Sequence, residues 1–252
     1  MSKAYIFSDN LAADFNIYTW GVAVNDVTLA ANDNTAYTVE LGPDGNGDFT
    51  LGLLNVAGLF LSCIGIARHN IRPGAIINVE YQVVNGGPWI TFNRLNPADR
   101  GNQAAIWLFP GGNYYAVRMR VQQNGPFNVN IGYFFAGNST ELPVDLFVGH
   151  VPFPFARQTK VAGGLGNRGD YLGTTVERVD YTNTIDLKNI KQDDMRSIFL
   201  PLIRNRKPFY FAQNYVDRPD EVAFCWLLDD PQVTNSRPNG MMDISLTVGA
   251  IY

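Results

Sequence analysis

Between residues 35 and 136 the chain alternates, at short intervals, between runs that favour strands and clusters that force turns, and no other feature limits its fold so strongly. The runs are 35–41 (TAYTVEL), 58–67 (GLFLSCIGIA), 75–84 (AIINVEYQVV), 104–109 (AAIWLF), 114–122 (YYAVRMRVQ) and 128–136 (NVNIGYFFA), all rich in β-branched and aromatic residues. Between them stand PDGNGD, NIRPG, NGGP, NPADRGN, FPGGN and QNGP. Glycine supplies positive φ in such clusters and proline fixes φ, so each run ends and the chain reverses. This spacing predicts a β-sandwich or jelly roll. In YYAVRMRVQ, Ala116, Arg118 and Arg120 alternate with Val117, Met119 and Val121, which puts the arginines on one face and the apolar residues on the other. One face of that sheet is expected to be wet.

Composition agrees with an all-β reading: charged residues are 17% of the chain, against about a quarter in an average protein. The formal net charge is −4, and the basic residues are scattered apart from Arg204, Arg206 and Lys207. Nothing resembles a stripe that tracks phosphates, which argues against nucleic acid. The opening MSKAYIFSDNLAADF has no apolar stretch behind its lysine, and no later window is apolar enough to span a bilayer. A soluble protein made in the cytoplasm, with no membrane insertion, is expected. Cys63 and Cys225 stand far apart, each inside an apolar run, and are expected to be buried free thiols.

The pattern changes in 142–155 (LPVDLFVGHVPFPF), where Pro143, Pro152 and Pro154 interrupt any ladder. A boundary is expected near residue 148, dividing a jelly-roll domain, 1–148, from a smaller α+β domain, 149–252, that mediates assembly. The second part reads as a Gly-rich loop (162–173), a strand (174–186), one amphipathic helix and strands at 207–212, 221–228 and 242–248. In the helix Met195, Ile198, Phe199, Leu202 and Ile203 form a stripe expected to lie on the second sheet, and Asn189 with Gln192 could make a capping box. Pro201 falls inside the stripe, where it removes a backbone bond at a cost of about 3 kcal/mol, so a kink or early stop is expected.

Few motifs invite chemistry. His69 follows an apolar strand and precedes Asn70-Ile71-Arg72-Pro73-Gly74, so Arg68, His69 and Asn70 read as a structural hairpin corner and not as a catalytic group. His150 lacks zinc-binding spacing. Residues 164–169 (GLGNRG) match a dinucleotide fingerprint literally, but loop and strand residues follow where a helix is needed. Asp44, Asn46 and Asp48 have part of a calcium-loop spacing, with Phe49 and Asn55 where glycine and glutamate belong, so a tight turn is favoured. The sequon at Asn138 has no consequence without secretion. Asp193-Asp194 and Asp229-Asp230 read as caps or solvated turns. Neither a cofactor nor a catalytic residue is expected. Trp89, Trp107, Tyr114 and Tyr115 lie on or beside loops that also hold Asn93, Arg94 and Asn113. Trp89, Arg94, Asn113 and Tyr114 are the candidate glycan platform.

The stretch LFLSCIGIARHNIRPGAIINVEYQV resembles the core of galactose-binding-like (discoidin-type) jelly rolls found in tail-tip proteins of tailed bacteriophages. There an apolar strand runs into a corner similar to ARHN, then a turn, then a strand of the partner sheet. NVNIGYFFAGNSTELP and the segment from DDMRSIFLPLIRNRKPFYFAQN to MDISLTVGAIY look similar to the same class. The resemblance implies a structural component of the virion, at the tail tip or baseplate, that works through protein-protein assembly. It implies other virion tail proteins as partners and a homo-oligomer, and it offers no catalytic residues.

Three functions compete. Assembly in a virion, after synthesis in the host cytoplasm, is the leading expectation. The alternative is a receptor-binding or carbohydrate-binding module that recognises host surface glycans through loop aromatics such as Trp89. An enzyme such as a depolymerase would need acidic residues facing each other across a groove, and the sequence gives no positive sign of one.

Overall fold

The computed structural model describes residues 4–13, 17–54, 60–95, 104–123, 127–144, 146, 150–165, 171–237 and 240–252. The chain is mainly β, and its strands form three antiparallel sheets. The first, in spatial order, joins β2 (Ile17–Tyr18), β5 (Phe49–Leu54), β10 (Ala116–Gln122), β7 (Ile76–Gln82) and β8 (Ile90–Leu95). The second joins β3 (Val22–Ala23), β4 (Val39–Gly42), β11 (Val129–Gly137), β6 (Phe60–His69) and β9 (Ala105–Asn113). From β4 to β11 the strands pair as first-eighth-third-sixth in one sheet and second-seventh-fourth-fifth in the other, which is jelly-roll connectivity.

The third sheet runs β12 (Thr140–Glu141), β1 (Tyr5–Phe7), β15 (Phe209–Ala212), β16 (Val222–Leu227), β18 (Met241–Ile251), β14 (Tyr171–Lys191) and β13 (Arg157–Leu165), with β17 (Gln232–Arg237) also pairing on β18. Tyr5–Phe7 thus pairs with Tyr210, Phe211 and Ala212, and the segment before residue 148 contributes strands to all three sheets.

The sheets are stacked, with the second in the middle. Val39, Leu41, Ile64, Ile66, Phe134 and Ala136 point from it into the core shared with Leu51, Leu53, Val117 and Met119 of the first. Cys63, Ala67, Tyr133 and Phe135 point the other way, against Phe7, Tyr210, Val222 and Phe224 of the third. The far face of the third sheet, carrying Ile6, Phe209, Phe211 and Cys225, is covered by Met195, Phe199 and Leu202 of the helix 192–205. The expected stripe therefore lies on the third sheet. Tyr215 adds a polar stitch between layers: its hydroxyl donates to Ile106 O (3.1 Å) and accepts from Leu108 N–H (3.0 Å).

The helix does not stop at Pro201. Met195–Phe199 adopts π-type bonding, with Leu200 N–H donating to Met195 O, and Pro201 then sits in the first turn of Leu200–Asn205, where it needs no donor. The capping box does not form. Lys191 is the N-cap, and Asn189, at φ 60°, has its N–H bonded to Asp243 Oδ1 at 2.8 Å. The Gly-rich loop expected over 162–173 is entered from both sides by strands, β13 to Leu165 and β14 from Tyr171, and its middle lies outside the described residues. Because a strand follows GLGNRG, no helix N-terminus is available there for a pyrophosphate.

Candidate functional site

β10 is amphipathic as its spacing predicts: Val117, Met119 and Val121 are fully buried, and Arg118 and Arg120 lie on the opposite face. That face is not simply wet. The register sets Arg118 between Glu80 of β7 and Gly52 of β5, and Arg120 between Asn78 and Thr50. Arg118 Nε and Nη2 both donate to Glu80 Oε2 at 2.7 Å. Arg120 Nη2 reaches Glu80 Oε1 at 3.0 Å, and its Nη1 reaches Asp48 Oδ2 at 3.3 Å. Gln122 donates to Asp48 Oδ1 (3.2 Å) and accepts from Asn78 Nδ2 (3.3 Å). Glu80 is 3% exposed and Asp48 7%, a degree of burial that ionised carboxylates tolerate only when paired. Among the described side chains two guanidiniums and two carboxylates cancel; Arg94, in register with Asn78 on the same face, has a side chain outside the described residues.

Aromatic rings cover Arg118. Trp20 follows β2 and Trp89 precedes β8; the Arg118 guanidinium carbon lies 3.9 Å from the Trp89 ring centroid and 5.4 Å from that of Trp20. Such a contact contributes about 0.5–2 kcal/mol, more as water is excluded. Trp20 meets Trp89 edge to face at 5.0 Å, and Tyr18 meets Trp20 in the same way at 5.1 Å. Gly52 pairs with both Tyr18 and Arg118, so no side chain intervenes between them. Thr50 fixes the Trp20 loop, its O accepting from Thr19 Oγ1 (2.8 Å) and its Oγ1 from Trp20 N–H (2.9 Å). Tyr18 is half-exposed, and Val83, Val84 and Ile90, on the hairpin that carries Trp89, are exposed as well. The result is a partly exposed aromatic ridge, Tyr18-Trp20-Trp89, on a polar floor whose described charges are paired, although Arg120 Nε is buried there without a partner among the described residues.

The four platform residues do not come together. Trp89 lies in the ridge. Tyr114 is buried against Tyr81, Phe92 and Phe109, with its hydroxyl donating to Pro110 O, and Trp107 is buried too. Asn113 ends β9 in the other sheet, opposite Phe60. Arg94 is on β8 across from Asn78, and its side chain lies outside the described residues. Tyr114 fails as a platform because its run, YYAVRMRVQ, starts inside the sandwich. Nothing in the sequence marks Tyr18, Trp20 or Glu80 as site residues, and Asp48 reads there only as part of a tight turn; the alternation of Arg118 and Arg120 is the available signal, but their partners depend on strand register.

The corner at Arg68, His69 and Asn70 joins two sheets instead of forming a hairpin within one, since β6 pairs with β9 and β11 while β7 pairs with β8 and β10. Arg68 is left-handed (φ 51°) and its Nη1 donates to Thr35 O at 2.8 Å. Asn70 clamps β11, donating from Nδ2 to Asn128 O (3.1 Å) and accepting Asn130 N–H (2.7 Å). His69 is buried, and its Nδ1 accepts Ile71 N–H at 3.2 Å. Asp44 likewise closes a turn, its Oδ1 accepting the N–H groups of Asn46 (2.8 Å) and Asp48 (3.0 Å). Cys63 and Cys225 are buried free thiols in different layers, and burial pushes both thiol pKa values up. Among the described residues no cluster of His, Cys, Asp or Glu is placed to hold a metal, and no helix is long and apolar enough to cross a membrane.

No family model and no curated protein matches the chain. Part of it is similar to solved structures. They include chitosan-binding module 1 of a chitosanase/glucanase from Paenibacillus sp. IK-5 (13% identity, 52% of this chain and 99% of that one, TM-score 0.42). An F5/8 type C domain from Bacteroides fragilis gives 12% identity over 53% of this chain and 97% of that one, TM-score 0.41. A pectin-binding carbohydrate-binding module gives 8% over 52% and 92%, TM-score 0.40. Each likeness covers about half of this chain, and no site residue or ligand is carried over from it.

Proposed function

We propose that the protein is a glycan-binding module that recognises neutral surface sugars without cleaving them. The Tyr18-Trp20-Trp89 ridge carries the reading. The three rings, about 5 Å apart and meeting edge to face, offer a mixed surface of ring faces and edges to the C–H groups of a sugar. Among the described side chains the floor beneath has no surplus cation to draw phosphate or uronate, because Arg118 and Arg120 are already paired with Glu80 and Asp48. An array of neutral oligosaccharides and bacterial surface polysaccharides tests it. Binding by the full chain should fall at least about tenfold in Trp89→Ala and in Trp20→Ala, while melting drops only a few degrees. A wild-type protein that binds no glycan on the array removes the reading.

A second reading, assembly with its own copies or with other virion tail proteins, is favoured by one observation. β14 pairs with β18 only from Tyr181 onward, so Tyr171–Asp180 pairs with β13 alone and forms a two-stranded ribbon. Isolated ribbons are marginal in water and have edges open to a further strand. Light scattering on the full chain should then show a defined oligomer. A monomer at all concentrations that also fails to bind any tail protein would count against it.

A further inference from the structure

A second open aromatic lies on another layer. Trp226 of β16 is opposite Gly249 of β18, and its indole lies against that glycine: a methyl there would come within 2.7–2.8 Å of ring atoms Cε2, Cζ2 and Nε1. The exposed part of the ring floors a cleft of about 320 Å³. Asp33, Asn34 and Thr35, from the jelly-roll loop before β4, form one wall, and Arg206 and Pro208 form the other. The volume is at the small end of pockets that hold organic ligands, which suits a single ring.

Local preference is overridden at two positions around this cleft. Gly249 stands inside an 11-residue strand, where glycine weakens pairing, and any side chain there would displace the indole. Arg206 caps the helix with φ 49°, where glycine or asparagine is the usual residue. Keeping arginine there costs stability and retains a guanidinium in the wall, anchored by Asp230 at 2.8 Å. The wall opposite is also held: Asn34 Oδ1 accepts Ala36 N–H at 3.0 Å, and Thr35 O accepts Arg68 Nη1 at 2.8 Å.

We infer that this cleft binds one neutral pyranose, stacked on Trp226 and hydrogen-bonded through its hydroxyls to Asp33, Asn34 and Arg206. Asp33 and Asp230 offset Arg206 and the neighbouring Lys207, so no surplus cation favours an acidic sugar. This site is separate from the ridge and shares only its ligand class.

Isothermal titration of the full chain with D-galactose, D-glucose, D-mannose and N-acetyl-D-glucosamine, with D-glucuronate as the charged control, decides it. At least one neutral sugar should bind, with affinity reduced at least about tenfold in Trp226→Ala and severalfold in Arg206→Gly, and unchanged in Trp89→Ala. Arg206→Gly keeps the left-handed backbone, so its melting temperature should equal or exceed that of the wild type while binding weakens. A merely structural arginine would not separate the two readouts. If Trp226→Ala does not fold, Arg206→Gly decides alone. Binding lost in Trp89→Ala but kept in Trp226→Ala removes the cleft and leaves the ridge standing. Silence from all four neutral sugars, or tighter binding of glucuronate, overturns the inference, whereas the ridge is judged separately on oligosaccharides.

Discussion

The two sheets of the jelly roll share a connectivity but not a chemistry. The middle sheet is apolar on both faces: on β11, Tyr133 and Phe135 face the third sheet while Phe134 and Ala136 face the first, and all four are essentially inaccessible. The first sheet is apolar on one face only, and its other face holds Glu80, Asp48, Arg118 and Arg120, with the Trp89 ring over Arg118. A strand with two dry neighbours has no freedom to be anything but framework. A strand with one dry neighbour can carry charges, provided they pair and something covers them, and that cover is what a ligand meets.

Truncating the middle sheet should therefore be the most damaging change. Phe135→Ala removes a ring buried between layers, and urea denaturation should show a loss of about 3–5 kcal/mol. A loss under about 1 kcal/mol would mean that the third sheet separates easily from the jelly roll, and the contrast would collapse. On the first sheet, Glu80→Ala strips two guanidiniums of a shared buried carboxylate and should cost about 3 kcal/mol. A near-neutral effect there would show an ordinary wet face, as alternation alone had suggested. Glu80→Gln sharpens the point, because it keeps the side-chain shape but removes the charge and one of the two acceptor oxygens, leaving an amide donor against one guanidinium.

The same contrast explains what could be read from the sequence. Strands buried on both faces, such as β6 and β11, announce themselves as apolar runs, and alternation in β10 placed Arg118 correctly. The short pieces β1, β2, β3 and β12 have no periodicity to detect, since each is held by its neighbours. β5 (FTLGLL) went unread because it directly follows a turn cluster, and β8 because ITFNRL is short and polar at its end. The site was less legible still. Trp89 was noticed as an aromatic on a loop, but its relation to Trp20 and Arg118 depends on β2, β5 and β10 lying side by side, which no local pattern encodes.

The two thiols give a smaller test. Cys63, between the jelly roll and the third sheet, donates to Gly137 O at 3.2 Å, a bond that serine can keep. Cys225, under the helix, has only Ala223 O at 3.7 Å, so a serine hydroxyl would be poorly satisfied there. Cys225→Ser should cost about 1–2 kcal/mol more than Cys63→Ser in denaturant melts. Equal costs would show that the layer under the helix admits water.

The smallest effect belongs to the layer under the helix and is read against pH. His150 packs edge-on to Phe153 and Phe211, with ring centroids 6.5 and 6.2 Å away. Burial holds its pKa below the ordinary 6.5, opposed by the Thr184 backbone and the charge of Asp186. The unfolded chain therefore takes up the proton first as pH falls. Stability from the neutral ring is present above the unfolded pKa and is lost as pH drops from about 6.5 toward the folded pKa. His150→Phe removes this titration while keeping an aromatic in place. In melts between pH 8 and pH 5 (roughly the range in which histidine titrates), the wild type should lose stability relative to the variant, since the carboxylates act alike in both. Parallel curves would show that the ring is solvated in the folded chain, and that this edge of the third sheet is as open as the ridge on the first.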